Sequence, residues 1–132
     1  MPIKNPVTKE SNLHQQVVDY LKYQYPKVLF RTDFAAGIKM TIGQAMKHKK
    51  IQKCKSWPDI FIAKPVGCFN GLFIELKTNQ QQVYTKTGKF KTPHVKDQYF
   101  ILEELYKQGY CACFAFGFDN AKDIVDDYLN YD

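Results

Sequence analysis

Five acidic residues fall within the first 96 positions (Glu10, Asp19, Asp33, Asp59 and Glu75), and two of them stand where a buried strand does not normally tolerate charge. Asp59 opens the run Asp59-Ile60-Phe61-Ile62-Ala63, and Glu75 interrupts Leu72-Phe73-Ile74-Glu75-Leu76-Lys77. Side chains alternate along a strand, so Glu75 and Lys77 project from one face while Leu76 packs on the other. A carboxylate and an ammonium are thereby held side by side. If the Asp59 run pairs with the Glu75 run through a hairpin, two carboxylates and a lysine converge, with the main-chain carbonyl of Leu76 within reach. Hard oxygen donors of this kind suit Mg²⁺ or Mn²⁺, which keep several waters and accept phosphate oxygens. The lysine then serves as a point charge that orients a water or stabilises charge building on a phosphate under attack. The competing reading is a Glu75/Lys77 surface pair at a sheet edge with Asp59 as a turn residue after Pro58, and runs this apolar argue against it.

The elements that must hold these residues can be read from the spacing of apolar positions. Pro58 to Lys64 and Gly71 to Lys77 read as central strands, and Pro65 to Asn70, with its Pro and Gly, is short enough for a hairpin. Ahead of them, Glu10 to Gln24 predicts a helix with Leu13, Val17, Val18 and Leu21 on one face and Pro26 ending it. Val28 to Asp33 predicts a short strand. Gly37 to Lys55 predicts a loop and then a weakly amphipathic, solvent-facing helix. After the second central strand, Thr78 to Pro93 is polar and has no period, which predicts a mobile loop. His94 to Gln108 predicts a second strong helix stopped by Gly109, Tyr110 to Phe116 a buried strand, and Asn120 to Tyr131 a final helix. This order predicts an α/β sandwich with a mixed central sheet flanked by helices, and 132 residues suit one domain.

Composition narrows the classes of function. With 45% hydrophobic and 15% aromatic residues the chain can bury a continuous core, which excludes global disorder. No stretch approaches the length of a membrane span, and residues 1 to 9 lack the apolar centre of a secretory signal, so a cytoplasmic protein with no membrane partner and no organic cofactor is expected. Four cysteines without a CxxC spacing give little support to a zinc knuckle or redox pair. Residues 1 to 96 hold 17 Lys/Arg against 5 Asp/Glu, whereas residues 97 to 132 hold 2 against 8. Such asymmetry is the usual footprint of a polyanion partner, with lysines that merely solvate the surface as the competing reading, and charge alone does not choose between them. Candidate contacts are Lys39, Lys47, Lys49, Lys50, Lys53 and Lys55 along the lysine-rich helix and its flanks, and Lys86, Lys89 and Lys91 in the polar connection. Because 18 of the 19 cations are Lys, recognition should be of backbone and shape rather than of base edges.

Pro58-Asp59 followed after fifteen residues by Glu75-Leu76-Lys77 resembles the signature of the PD-(D/E)XK nucleases. Glu10, in Glu10-Ser11-Asn12-Leu13-His14, is similar to the acidic residue on the first helix of that fold. Gln98, in His94-Val95-Lys96-Asp97-Gln98, followed by Leu102, Leu105 and Gly109-Tyr110, resembles the glutamine helix and closing strand of the VRR-NUC branch. Four elements in the right order make the match far more specific than the isolated string. The resemblance implies a restriction-endonuclease-like three-layer sandwich and an endonuclease that uses Mg²⁺, with Mn²⁺ as a substitute. Asp59 and Glu75 would bind the metal, Leu76 would offer its carbonyl, and Glu10 would complete the shell directly or through water. Lys77 would be the catalytic lysine, and Gln98 would steady Lys77 or the phosphate. Small stand-alone members of that branch resemble junction resolvases of phages and bacteria, which implies a homodimer acting on branched or four-way DNA. Flap, single-stranded or duplex DNA, or an idle nucleic-acid-binding module, are the rival readings. Trp57, beside Pro58, either seals the start of the strand or stacks on a base near the site.

Overall fold

The protein is described by a computed structural model over residues 9–33 and 40–131. Its elements in chain order are α1 (Lys9–Gln24), β1 (Phe30–Thr32), α2 (Ile42–Ile51), β2 (Ile60–Ile62), β3 (Leu72–Lys77), α3 (Pro93–Lys107), β4 (Cys111–Phe116) and α4 (Gly117–Leu129). The four strands form one mixed sheet in the order β1-β2-β3-β4. β1 and β2 pair antiparallel, as do β2 and β3, while β3 and β4 run parallel and are joined through α3. The hairpin expected between the two central strands is present, tightened by a Val66 and Phe69 bridge. Gly71 begins its second arm, where an added Cβ would lie 2.7 Å from the Phe61 ring and 2.9 Å from the Ile62 carbonyl.

The two faces of the sheet follow the alternation of β3. Leu72, Ile74 and Leu76 join Ile60, Ile62 and Ala115 on one face, against Leu13, Val17 and Leu21 of α1 and Ala121, Val125 and Leu129 of α4. Each of these larger aliphatic side chains contributes about 1.5–3 kcal/mol by leaving water. Polar cross-links fix how the helices meet: the Tyr20 and Tyr25 hydroxyls both donate to Asp126 Oδ1 at 2.5 and 2.7 Å. Phe61, Phe73, Glu75 and Lys77 belong to the opposite face, where α3 lies with Val95, Gln98, Leu102 and Leu105 buried. The result is the helix, sheet, helix sandwich expected.

Helix α2 starts at a capping box in which Thr41 and Gln44 satisfy each other's backbone N–H groups. It buries no residue, and Ile42, Met46 and Ile51 are exposed.

Two expectations are corrected. The connection after β3 is an ordered structure, not a free loop. Gln80–Gln82 form a 3₁₀ turn, Val83 is fully buried, and Tyr84 and Phe90 bridge across a turn closed by Thr85 and Lys89. A single anchored valine among polar residues leaves no period to detect. Helix α4 begins at Gly117 rather than Asn120, because Gly117 adopts φ +82° and Asn120 accepts from the Phe116 N–H from inside the first turn. Lys39 lies outside the described residues. Among the described residues no helix is long and apolar enough to cross a membrane.

Candidate active site

Asp59 sits one residue before β2, and the register that pairs Ile60 with Ile74 sets it opposite Glu75. Two backbone contacts hold it. Asp59 Oδ2 accepts from the Leu76 N–H at 2.7 Å, and the Asp59 carbonyl accepts from the Asp33 N–H at 2.8 Å. Glu75 is 5% exposed, and Gln98, reaching across from α3, is 6% exposed. Gln98 Nε2 donates to Glu75 Oε1 at 2.7 Å, and Lys77 Nζ lies 3.7 Å from the same oxygen. Glu75 Oε2 and Gln98 Oε1 are buried with no hydrogen-bond partner among the described residues. The glutamine therefore orients the Glu75 carboxylate, whose Oε1 also faces Lys77.

Glu10 joins from α1, exposed at the rim. Its Oε1 accepts from Gln82 Nε2 at 3.3 Å, and Gln82 Oε1 in turn accepts from the Thr78 N–H at 2.6 Å. The 3₁₀ turn thus ties the first helix to the end of β3. Glu10, Asp59, Glu75, Leu76, Lys77 and Gln98 line one cleft of about 210 Å³. All the residues expected from sequence to carry chemistry are brought together there. His14 and His94 line it as well. His14 stands four residues after Glu10 on α1, a spacing that puts the two on one face of the helix. Burial holds the His14 imidazole below its usual range against the opposing pull of Asp33, and its Nε2 has no partner among the described residues.

The electrostatics of the cleft disfavour two charged carboxylates side by side. Burial pushes the Asp59 carboxyl up to about 6, against the Leu76 N–H and the Lys77 charge, which favour ionisation. Burial, and then the charge of Asp59, raise Glu75 well above the ordinary carboxylate range. The two facing carboxylates, one with an unpartnered Oε2, are the oxygen donors that could hold a hard divalent ion, and Lys77 stands beside them as a counter-charge. Among the described residues no three Asp, Glu, His or Cys side chains lie close enough together to enclose a metal. Two carboxylates with the balance of the shell left to water fit Mg²⁺, which gives up its waters reluctantly.

The lysines expected to meet a polyanion lie outside the cleft and are exposed: Lys47, Lys49 and Lys50 on α2, Lys53 and Lys55 just after it, and Lys86, Lys89 and Lys91 in the connection before α3. None of them lines the cleft itself.

A mixed sheet covered by α1 and α4 on one face and α3 on the other, with its acids at the start of β2 and within β3, is a restriction-endonuclease-like sandwich. Among solved structures the chain is similar to a VRR_NUC domain protein, with a TM-score of 0.63 over 94% of this chain and 90% of that one, at 23% identity. At that identity the likeness defines a shared fold. No family model matches the chain, and no curated protein matches it.

Proposed function

We propose that this protein is a divalent-metal-dependent endonuclease of the PD-(D/E)XK type that hydrolyses phosphodiester bonds in DNA. The observation that carries the reading is the convergence of Asp59, Glu75, Lys77 and Gln98 in one cleft, on a fold shared with a VRR_NUC domain protein. Asp59 and Glu75 would hold Mg²⁺ or Mn²⁺, with the Leu76 carbonyl and, through water, Glu10. When bound, the ion supplies charge neutralisation at the phosphate and acidifies water. The protein's own residues do the rest. The Leu76 N–H fixes Asp59, and Gln98 fixes Glu75, so neither carboxylate has to reorganise when substrate arrives. Lys77, anchored beside Glu75, is placed to hold the attacking water and to neutralise charge on the phosphate oxygens as the ester oxygen leaves. His14 and His94 stand on the wall of the same cleft.

Branched DNA, with the four-way junction first, is the substrate class this reading selects, cut by a homodimer that presents two identical sites to two strands. The exposed lysines on α2 and before α3 supply backbone contacts without base-edge readout. The test is cleavage of labelled four-way junction, flap, single-stranded and duplex DNA with Mg²⁺, Mn²⁺ or EDTA, beside Asp59→Asn. Metal-dependent cutting that the variant loses while still binding DNA is the expected result. Binding without cutting under every metal would leave an idle binding module, and equal cutting of junction and plain duplex would remove the branch selectivity.

A further inference from the structure

Beside the cleft, and sharing Asp59 with it, a wider groove of about 870 Å³ opens over the α3 face of the sheet. Its floor is aromatic. Phe61 and Phe73 stack at 4.4 Å with 23° between their planes, Tyr110 meets Phe73 edge-on at 5.2 Å, and Trp57 meets it edge-on at 5.4 Å. Trp57 remains 46% exposed although Ser56 and Pro58 on either side of it are buried, so it forms a wall of the groove rather than a seal over β2. Arg31 and Lys53, both exposed, line the same groove. Flat apolar rings with cations beside them match the two halves of a nucleotide, a base and a phosphate. Asp59 belongs to both cavities, so a nucleotide whose phosphate lies in the cleft has the groove as the nearest place for its base.

A base paired within a duplex is stacked between its neighbours and cannot enter such a groove, whereas an unpaired one can, at little cost. We propose that this groove binds an unpaired nucleobase of the strand being cut, next to the scissile phosphate. It makes the enzyme select unstacked nucleotides, such as those at branch points, over continuous duplex. The inference rests on the nuclease reading above and names the feature of the substrate that the site recognises. The groove's volume falls in the range of sites that hold a small organic group.

Trp57 is the single tryptophan of the chain, so its emission reports on the groove directly. The experiment titrates the whole protein in EDTA with a single-stranded oligothymidylate, a blunt duplex of equal length and an abasic oligomer of equal length. Oligothymidylate should quench Trp57, and the abasic oligomer should not. Read by the anisotropy of a labelled oligomer, since the variants lack the tryptophan, Trp57→Ala should weaken oligothymidylate binding about tenfold by loss of one stacked base, with Trp57→Phe restoring most of it and duplex affinity unchanged in both. Equal quenching by duplex or abasic oligomer would overturn the proposal. So would emission that shifts with protein concentration in the absence of DNA, which assigns the groove to a second copy of the chain. The two readings fail separately: quenching without any metal-dependent cleavage removes the nuclease and keeps the base site, and cleavage without quenching does the reverse.

Discussion

At Asp59 the Leu76 N–H and the Lys77 ammonium draw the carboxyl toward its ionised form, while burial drives it the other way and prevails. The folded, metal-free protein therefore keeps a proton that the unfolded chain releases as pH rises from about 4 to about 6. Fewer protons on the unfolded state mean that stability falls with rising pH across that window, by up to about 3 kcal/mol for this one group. Thermal denaturation in EDTA should show the melting temperature dropping between about pH 4 and about pH 6. Asp59→Asn, which keeps an acceptor for the Leu76 N–H, should flatten that drop, and a profile identical to the parent would refute the assignment. Mg²⁺ should stabilise the parent more at the upper pH than at the lower. Lys77→Ala removes one preorganised charge and should slow cleavage roughly 100-fold, about 3 kcal/mol of transition-state stabilisation, in single-turnover assays. A change below about threefold would deny Lys77 a direct part. These residues were legible in the sequence because charge inside an apolar run needs a reason. The partner of Gln98 was not, since helical spacing tells which face a side chain occupies and not which of two neighbours it will bond.

Among the elements, the strands and α1 and α3 declared themselves through strong apolar periods. The segment between β3 and α3 did not. Its order comes from Gln82 bridging Thr78 and Glu10, and from Val83 alone in the core, contacts between residues far apart in sequence. Asn120 likewise has the composition of a helix cap, yet Gly117 turns the chain three residues earlier. Helix α4 is held to α1 by more than its apolar stripe, because Asp126 receives the hydroxyls of Tyr20 and Tyr25 and the ammonium of Lys122. Asp126→Ala should lower unfolding free energy by about 1–3 kcal/mol, because two half-buried hydroxyls lose their acceptor. Urea denaturation measures this, and an unchanged midpoint would show that water replaces the carboxylate at no loss.

For the whole molecule, the positive balance of residues 1 to 96 against the negative balance of the remainder survives folding as a division between elements. α4 carries Asp119, Asp123, Asp126 and Asp127, while α2 and the connection before α3 carry the exposed lysines. Binding in EDTA should weaken steeply between roughly 50 and 200 mM salt, and replacing Lys47, Lys49 and Lys50 by Ala should reduce the slope by about one for each that meets a phosphate. An unaltered slope would place the DNA elsewhere. The central position of β3 reaches further. Glu75 and Lys77 stand on a strand that is flanked on one side by β4 and packed on its other face against α4, yet neither of those later elements lends a side chain to the cleft. A random screen for loss of cleavage should therefore gather substitutions at Ala115, Ala121 and Val125, none of which has any exposed surface, as readily as in the cleft. Such substitutions would be told apart by abundance in the cell: the cleft variants accumulate as folded, inert protein, and the others are degraded.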